Sequence, residues 1–401
     1  MEFPFKNEWI LSQLSDNFDD FRRLNGDNNV SKISVKNIGE NGFLANVYLI
    51  TVTFPSGNRF EIVAKVCGRV LEATDIITQS DLFRITLHHR ECLFYEQFGS
   101  TLALPIPKTY QYGPYTPGQI PGFLFMESLL GKGVSFHFSE GLNMPQLLEL
   151  ARFVGKMQAS ALNLEDQSWV EEFQKPNYDM AAQNLFLLGV FERLKKLRDG
   201  ALKSYVEVLE SHIKNDFQTY SQYTLYKDLE IPPVLVHGDL WTHNILWKAE
   251  DGFASNKIAC VFDFQGAHAG NPAWDLTRLL VLCTDAEVRI QHWERVFEEY
   301  YSTLKGTLQE NDREVPFTID QVKRCYEYTF VNQTILFGSS LVYQKEDYID
   351  CAEAEELPYL EARFEKVYVR AMFALKQAAS QVEKAMLALK QAASQVETLK
   401  Y

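Results

Sequence analysis

The segment LVHGDLWTHNILW, residues 235–247, places acid and amide side chains at short spacing directly after an apolar run. Asp239 and Asn244 lie five positions apart, and Asp263 follows at the end of a second apolar run, IACVF. One carboxylate and one amide on a loop, with a second carboxylate at a neighbouring strand end, would form an oxygen-rich site, and Mg²⁺ prefers such ligands. The spacing therefore predicts that Asn244 and Asp263 bind Mg²⁺, which leaves Asp239 to orient or deprotonate a hydroxyl group.

This division of labour is typical of phosphoryl transfer by kinases, so the preceding part of the chain should supply groups for a nucleotide. Lys65 ends the strand-like segment VAKV, in the position of a phosphate-pairing lysine, and Glu91 follows it by 26 residues on a predicted helix. Gly39 and Gly42 lie between two predicted strands, where backbone N–H groups can approach phosphates. An ordinary β-turn is the alternative interpretation of these two glycines.

The segment FLFMES ends at Met126, Glu127 and Ser128, which suit a hinge whose backbone binds adenine. Each nucleotide-binding residue has a plainer alternative, since a lone strand lysine is usually an edge residue and a helix glutamate is usually a surface charge. Order and spacing taken together favour the nucleotide site. We therefore expect ATP to be the phosphoryl donor.

The motifs HGDLWTHNILW and FDFQGAHAGNPAWDLTRLL resemble those of the aminoglycoside phosphotransferase and choline kinase superfamily, and within it the CHK kinase-like group with its ecdysteroid kinase-like members. The resemblance covers residues 38–280 and implies a bilobal protein-kinase-like fold. It implies that Asp239 is the catalytic base and that Asn244 and Asp263 bind Mg²⁺. It also implies that Lys65 contacts the phosphates of ATP and that Glu91 orients Lys65.

Several other residues have expected positions. Asp275 resembles an acid that braces the catalytic loop, and His237 is expected to brace the same loop by hydrogen bonds. His88 and His89 are expected on the surface of a helix, while His243 either faces the site or caps a turn. The loop reads His-Gly-Asp rather than His-Arg-Asp, DFQG replaces Asp-Phe-Gly, and an Ala-Pro-Glu segment is missing, so protein substrates are disfavoured.

The order of elements predicts an α+β fold with a small β-rich N-lobe and a larger, mostly helical C-lobe. Strand patterns cover residues 32–38, 45–54, 59–66, 106–113 and 122–129, with a helix near residues 86–100. The predicted domains are an N-lobe with this sheet and one helix (1–127), a C-lobe with the catalytic loop, metal site and substrate pocket (128–370), and a helical extension (371–401).

The extension contains a repeat, because AMFALKQAASQVEK at residues 371–384 recurs as AMLALKQAASQVET at residues 385–398. One interpretation is a coiled-coil or partner helix. The other, which we favour, is a duplication that lengthens the last helix, since two heptads per copy are too few to require a coiled coil.

Composition limits the classes of function. The 401 residues carry a net charge of −14, which disfavours nucleic acid and anionic membranes as partners. There is no long apolar run or signal-peptide pattern, and the six cysteines are scattered without a CxxC pair. We therefore expect a soluble cytoplasmic protein with reduced thiols and no zinc site.

Together these features predict an ATP- and Mg²⁺-dependent kinase whose acceptor is a hydroxyl group of a small molecule, such as a steroid, a glycoside xenobiotic or an amino alcohol. Two alternatives stay open: a non-catalytic nucleotide-binding pseudokinase, and a choline or ethanolamine kinase proper. The acceptor and the oligomeric state are not specified by the motifs.

Overall fold

A computed structural model of the chain describes residues 3–25, 30–39, 45–67, 78–116, 121–176 and 179–398. The chain divides into two compact units, here called the first unit (residues 1–134 and 246–267) and the second unit (residues 135–245 and 268–401). The predicted N-lobe is continuous in sequence, whereas the first unit also contains a segment that follows the catalytic loop.

The elements of the described residues are, in chain order, α1 (Asn7–Asn17), α2 (Asp19–Asn25), β1 (Lys32–Asn37), β2 (Ala45–Thr53), β3 (Arg59–Cys67), α3 (Gln79–Phe98), β4 (Thr109–Gly113), β5 (Gly122–Glu127), α4 (Met144–Leu162), α5 (Trp169–Phe173), α6 (Met180–Leu194), α7 (Lys203–Lys214), α8 (Phe217–Tyr223), α9 (Leu225–Asp228), β6 (Val234–Val236), β7 (Ile245–Glu250), β8 (Phe253–Val261), β9 (His268–Gly270), α10 (Trp274–Leu282), α11 (Ala286–Gln309), α12 (Ile319–Tyr343) and α13 (Leu357–Thr398). Short 3-10 turns lie at Phe138–Glu140, Leu197–Gly200, Thr242–Asn244 and Phe264–Gly266, and a π-helical turn lies at Gln344–Ile349.

The first unit is built on a five-stranded sheet of order β1-β2-β3-β5-β4, in which every neighbouring pair is antiparallel. All five predicted strands are present. The PSGN segment forms the turn between β2 and β3, where Gly57 has φ of +85°, a conformation that favours glycine. In this sheet Lys65 of β3 lies opposite Leu124 of β5, so the lysine and the predicted hinge are on neighbouring strands.

Sequence reasoning predicts one helix in this lobe, whereas the described residues of the first unit form three, α1, α2 and α3. Ile10 and Leu14 of α1, Phe21 of α2 and Phe18 between the two helices join the same hydrophobic core as the inner residues of β2, β3 and β5. Both helices are short, and the residue before α1, Lys6, provides no side-chain cap. Packing against the sheet stabilises them more than local sequence does, which explains why the pattern missed them.

The second unit is mainly helical and holds the HGDLWTHN loop. Helix α4 begins with a capping box between Asn143 and Gln146, with Pro145 in its first turn. Gly155 of α4 allows close approach of α11, because a Cβ there would lie 2.8 Å from the Tyr300 carbonyl oxygen. The fully buried strand β6 pairs with β9 and delivers the chain to His237, where the loop begins.

The repeat at the end of the chain lies within one helix, α13, which agrees with both interpretations of the repeat. The first copy is packed, since Ala371, Ala374 and Leu375 are buried. The second copy begins exposed, with Met386 at 47% and Leu387 at 58% accessibility. The two copies therefore start in different environments despite their near identity.

Across the described ranges, we find no helix that combines the length and apolar character needed to span a membrane.

Candidate active site

Asp275 of α10 anchors the HGD segment of the second unit. Its buried carboxylate accepts two backbone hydrogen bonds, from the His237 N–H at 2.8 Å and from the Gly238 N–H at 3.0 Å. Burial raises the pKa of Asp275, although His237 and these backbone donors oppose the shift. The Asp239 N–H in turn donates to Nδ1 of His237 at 3.3 Å. Asp275 and His237 therefore hold the loop in the manner expected of bracing residues.

The carboxylate of Asp239 is fixed on both of its oxygens. Oδ1 accepts a hydrogen bond from Nη2 of Arg278 at 2.6 Å, and Oδ2 accepts one from Nδ2 of Asn244 at 3.3 Å. The same Nδ2 donates to the Asp239 carbonyl oxygen at 2.8 Å, which turns the Asn244 amide oxygen towards other partners. The Asp239 side chain is still 27% exposed, so a hydroxyl group can reach it.

Arg278 was not among the residues predicted from the motifs, although one signal pointed to it. Asp275 and Arg278 are three positions apart in WDLTR, so on a helix they lie on the same face. A residue on that face one turn from the loop-bracing acid can reach the loop. The ion pair between Arg278 and Asp239 realises this geometry.

In the first unit, three residues that are distant in sequence meet at one ammonium group. Nζ of Lys65 lies 2.6 Å from Oε2 of Glu91 on α3 and 2.7 Å from Oδ1 of Asp263, which follows β8. The Glu91 side chain is only 2% exposed, whereas Lys65 is 15% and Asp263 is 23% exposed. The lysine is thus held by a buried carboxylate on one side and a more accessible one on the other.

Burial and the neighbouring charges act together on the pKa values of Lys65 and Glu91. Burial alone would lower the pKa of Lys65, but the carboxylates of Asp263 and Glu91 outweigh it and raise that pKa well above its ordinary value. Burial, reinforced by the negative charge of Asp263, raises the pKa of Glu91 to about 7 despite the neighbouring ammonium. The site therefore has one cation shared by two carboxylates.

The backbone at Asp263 turns the carboxylate towards Lys65. Asp263 has φ of 72° in the left-handed region, which is disfavoured for a residue with a Cβ. Two contacts support this conformation: Nε2 of Gln265 donates to Oδ2 at 3.3 Å, and Phe264 stacks on Phe94 of α3 with ring centroids 3.8 Å apart. The DFQG segment is thus fastened to the helix that carries Glu91.

The predicted adenine hinge and glycine-rich loop are only partly defined by contacts. At the end of β5, Met126 is buried, and Oε1 of Glu127 accepts the Lys108 N–H at 2.8 Å. Ser128 Oγ accepts the Leu130 N–H at 3.4 Å. The Gly39 N–H donates to Oδ1 of Asn37 at 3.0 Å.

Gly42 lies outside the described residues. The nucleotide-binding roles of Gly39, Gly42, Met126, Glu127 and Ser128 stay predictions.

One histidine prediction is wrong. His88 is 6% exposed rather than on the surface, because α3 packs this face inward, and its Nε2 hydrogen bonds to the Gly113 carbonyl oxygen at 2.9 Å. Burial lowers the pKa of His88 to about 4. His89 is exposed, as expected, and its Nε2 accepts the Tyr115 N–H. His243 is exposed and lies beside Trp241, with ring centroids 4.2 Å apart.

The donor chemistry of both predicted metal ligands suits Mg²⁺. Asn244 offers an amide oxygen in the second unit, and Asp263 offers a carboxylate in the first, both of them hard ligands. Over the described ranges, no group of three or more His, Cys, Asp and Glu side chains is arranged to hold a metal ion. Few protein ligands are typical of Mg²⁺, which keeps water and phosphate oxygens in its coordination sphere.

Comparison with protein families gives a match over most of the chain. The family DUF1679, described as "Uncharacterized oxidoreductase dhs-27", matches residues 75–368. The Caenorhabditis elegans protein of that description is 23% identical over 340 residues, which are 80% of this chain and 40% of the relative. The chain thus spans less than half the length of this relative.

A second Caenorhabditis elegans relative, "Uncharacterized kinase-like protein D1044.1", is 28% identical over 263 residues, covering 65% of this chain and 67% of the relative.

Two solved structures share the fold. One is a candidate aminoglycoside phosphotransferase from Ralstonia eutropha, 12% identical with a TM-score of 0.50, covering 95% of this chain and 99% of that one. The other is choline kinase from Cryptosporidium parvum, 13% identical with a TM-score of 0.50, covering 94% and 99%. At this identity the likeness establishes the fold alone, and the predicted α+β protein-kinase-like fold is confirmed.

Proposed function

The chain belongs to the family DUF1679 and has the fold of kinase-like phosphotransferases, and we propose that it transfers the γ-phosphoryl group of ATP to a hydroxyl group of a small molecule. The observation that carries the proposal is the triad at Lys65. Glu91 and Asp263 are 26 and 198 residues away in sequence, yet both lie within hydrogen-bonding distance of its ammonium. The pairing of Lys65 with Glu91 is the one that a phosphate-binding lysine requires in kinases.

In this proposal, Lys65 binds phosphate oxygens of ATP and Glu91 fixes the lysine. Glu91 suits this role because it is nearly fully buried, so the ion pair is shielded from water and its geometry is restrained. Asp263 is the more exposed partner of Lys65 and is the carboxylate more readily given over to other ligands. Gly39, Gly42 and the backbone of residues 126–128 are proposed to complete the nucleotide site.

Asp239 is proposed as the general base that binds the acceptor hydroxyl group and takes up its proton. Its carboxylate accepts a hydrogen bond from the acceptor hydroxyl, whose oxygen attacks the γ-phosphorus. As the new O–P bond forms, the bond from the γ-phosphorus to the ADP oxygen breaks and the hydroxyl proton passes to Asp239. Positioning supplies most of the rate in such reactions, so the two hydrogen bonds that fix the Asp239 oxygens support this assignment.

Asn244 and Asp263 are the proposed Mg²⁺ ligands, and the bound ion would neutralise negative charge on the phosphates. Asn244 fits because its Nδ2 is committed to Asp239, which leaves the amide oxygen for a metal. Removing either side chain should therefore weaken Mg²⁺-dependent nucleotide binding, which calorimetry measures independently of turnover.

The word oxidoreductase in the relative's name does not lead us to propose hydride transfer for this chain. The nicotinamide-binding fold is a parallel sheet with crossover helices and a glycine-rich first turn. In the first unit, all described pairs of the five-stranded sheet are antiparallel. For the part of the relative that this chain matches, a phosphotransferase site is therefore better supported than a nicotinamide-binding site.

We further propose that the protein works in the reducing environment of the cytoplasm. The six cysteines are all unpaired, and five of them are buried. Disulfides are rare where glutathione keeps thiols reduced, which agrees with this placement.

The test is transfer of labelled phosphate from Mg²⁺–ATP to a panel of sterols, ecdysteroids, glucosides, choline, ethanolamine and aminoglycosides. We expect one class to accept phosphate, with loss of transfer in Asp239→Asn and Lys65→Met. Lys195→Met is the matched control, because Lys195 also bridges two carboxylates, Glu192 at 2.6 Å and Glu210 at 2.7 Å.

Nucleotide binding without transfer to any acceptor would support the pseudokinase instead. Selective transfer to choline or ethanolamine would identify an amino-alcohol kinase. No binding of Mg²⁺–ATP would refute the proposal.

A further inference from the structure

We infer that Arg278, held by Gln333, is a positioning residue that fixes the carboxylate of Asp239 for the transfer. The inference rests on the proposed function, because it concerns how the proposed base is oriented. The motif that ends in WDLTRLL contains Arg278 but assigns it no role, and Gln333 lies outside both motifs that suggested a phosphotransferase.

The contacts form a continuous series of hydrogen bonds inside the second unit. Arg278 lies on α10 and Gln333 on α12, two helices that pack against each other. Nη1 of Arg278 donates to Oε1 of Gln333 at 3.3 Å, while Nη2 donates to Oδ1 of Asp239 at 2.6 Å. Each terminal nitrogen of the guanidinium therefore has its own acceptor.

Burial restricts the motion of the side chains in this series of hydrogen bonds. The Gln333 side chain is fully buried, and Arg278 is only 16% exposed, so neither side chain is free to sample other rotamers in water. Interactions between charged groups are also stronger where water is largely excluded. The orientation of the Asp239 carboxylate is thus set by α12 through Arg278, in addition to the bond from Asn244.

The chemistry of arginine explains why this position takes a guanidinium. Its planar fork presents donors in fixed directions, so it can bind Gln333 and Asp239 at once. A lysine at this position would supply the charge but only a single flexible nitrogen. Because the 2.6 Å contact of Arg278 is with the Asp239 carboxylate, the arginine acts on the reaction through Asp239.

The arrangement predicts a specific kinetic pattern. Loss of Arg278 should lower kcat about 100-fold, because small displacements of a reacting group have effects of that size. KM for ATP should change less than about threefold, since the proposed nucleotide-binding residues are not altered. Arg278→Lys should retain more activity than Arg278→Ala, because it keeps the charge beside Asp239.

Gln333 should act only through Arg278. Gln333→Met should lower kcat about fivefold in the wild-type background and have no effect in Arg278→Ala. Such non-additivity is expected for residues in one hydrogen-bond network. Free guanidinium ions should restore part of the activity of Arg278→Ala, which a general loss of folding would not allow.

The experiment measures steady-state kinetics for the wild type, Arg278→Ala, Arg278→Lys, Gln333→Met and the double variant, with unfolding temperatures as a check on folding. Arg152→Ala is the matched control, since Arg152 also uses its fork on two acceptors, Glu149 and Glu299, outside the proposed site. It should keep the wild-type kcat and show no response to guanidinium.

The outcomes separate the two proposals. Wild-type transfer that is lost in Asp239→Asn but unchanged in Arg278→Ala overturns the positioning role and leaves the proposed function standing. Equal losses of kcat in Arg278→Ala and Arg152→Ala, or additive effects of Gln333→Met and Arg278→Ala, also overturn the positioning role. Absence of transfer in the wild type overturns the function and this inference together.

Discussion

Replacing Lys65 by Met should destabilise the first unit by about 2–3 kcal/mol at pH 8. Lys65 lies 2.6 Å from Glu91 and 2.7 Å from Asp263, so its removal leaves two carboxylates without their cation. Breaking a buried ion pair costs about 3–5 kcal/mol, because the remaining charge is uncompensated. Asp263 is 23% exposed and partly solvated, which places the expected loss at the lower end of that range or below it.

The loss of stability should depend on pH, and the direction of this dependence follows from the pKa of Glu91. Its pKa is raised from 4.5 to about 7, chiefly by burial. The folded chain therefore holds the Glu91 proton where the unfolded chain has released it, so this contribution to stability is full below pH 4.5 and is lost as the pH rises through about 7. Without Lys65 the shift is larger, so the variant should lose stability as pH rises, by up to about 1.4 kcal/mol per pH unit.

Amide hydrogen exchange of β3 and α3 measures this effect in the first unit alone, which matters because a chain of two units need not unfold in one step. Lys195→Met, whose partners include the 62% exposed Glu192, should lose less than about 1 kcal/mol and show little pH dependence. Lys65→Met combined with Glu91→Gln should recover stability at pH 8. Equal losses in the two lysine variants at every pH, or no recovery in the double variant, would refute the reasoning.

Two further predictions concern buried titratable groups. His88, whose pKa burial lowers from 6.5 to about 4, contributes stability above pH 6.5 that is lost as the pH falls towards 4. His88→Gln keeps a donor for Gly113 and should remove an acid-dependent loss on the order of 3 kcal/mol, measured by urea unfolding between pH 4 and 7; parallel curves for both proteins would contradict this. Asp275→Asn replaces an acceptor of two backbone N–H groups with a side chain that can accept only one of them. The substitution should lower the free energy of unfolding by about 1–3 kcal/mol, measured by thermal unfolding. It should also lower kcat by a larger factor than the factor by which KM for ATP changes. An unchanged kcat would show that the loop does not depend on Asp275.

The five strands and the HGDLWTHN loop could be predicted because their signals are local. Alternating side chains specify the strands, and Asp239 and Asn244 are close in sequence as well as in space. Lys65 and Glu91 could be paired because a strand lysine followed by a helix glutamate has the order and spacing of kinases. The return of residues 246–267 to the first unit could not be predicted, since no local pattern states which sheet or helix a later segment joins.

The burial of His88 shows a second limit of sequence reasoning. Two adjacent histidines on a helix point in different directions, and the pattern alone does not say which of them faces the sheet. In the structure His88 turns inward to the Gly113 carbonyl, while His89 is exposed. The same tertiary packing stabilises α1 and α2, whose own sequences give weak helix signals. Elements and side chains whose state depends on distant partners are therefore the ones that sequence reasoning misses.

Arg278 illustrates both the predictable and the unpredictable case. Its place on the helix follows from local spacing, whereas its role depends on contacts with residues that are distant in sequence. Asp275 is bonded to the backbone of His237 and Gly238, so the rotation of α10 about its axis is fixed relative to the loop. One turn later on the same face, Arg278 reaches the side chain of Asp239. The helix thus supports the loop backbone with its acid and the candidate base with its guanidinium. Since both contacts depend on one rotation, a disturbance of Asp275 should propagate to Asp239 through Arg278 as well as through the loop.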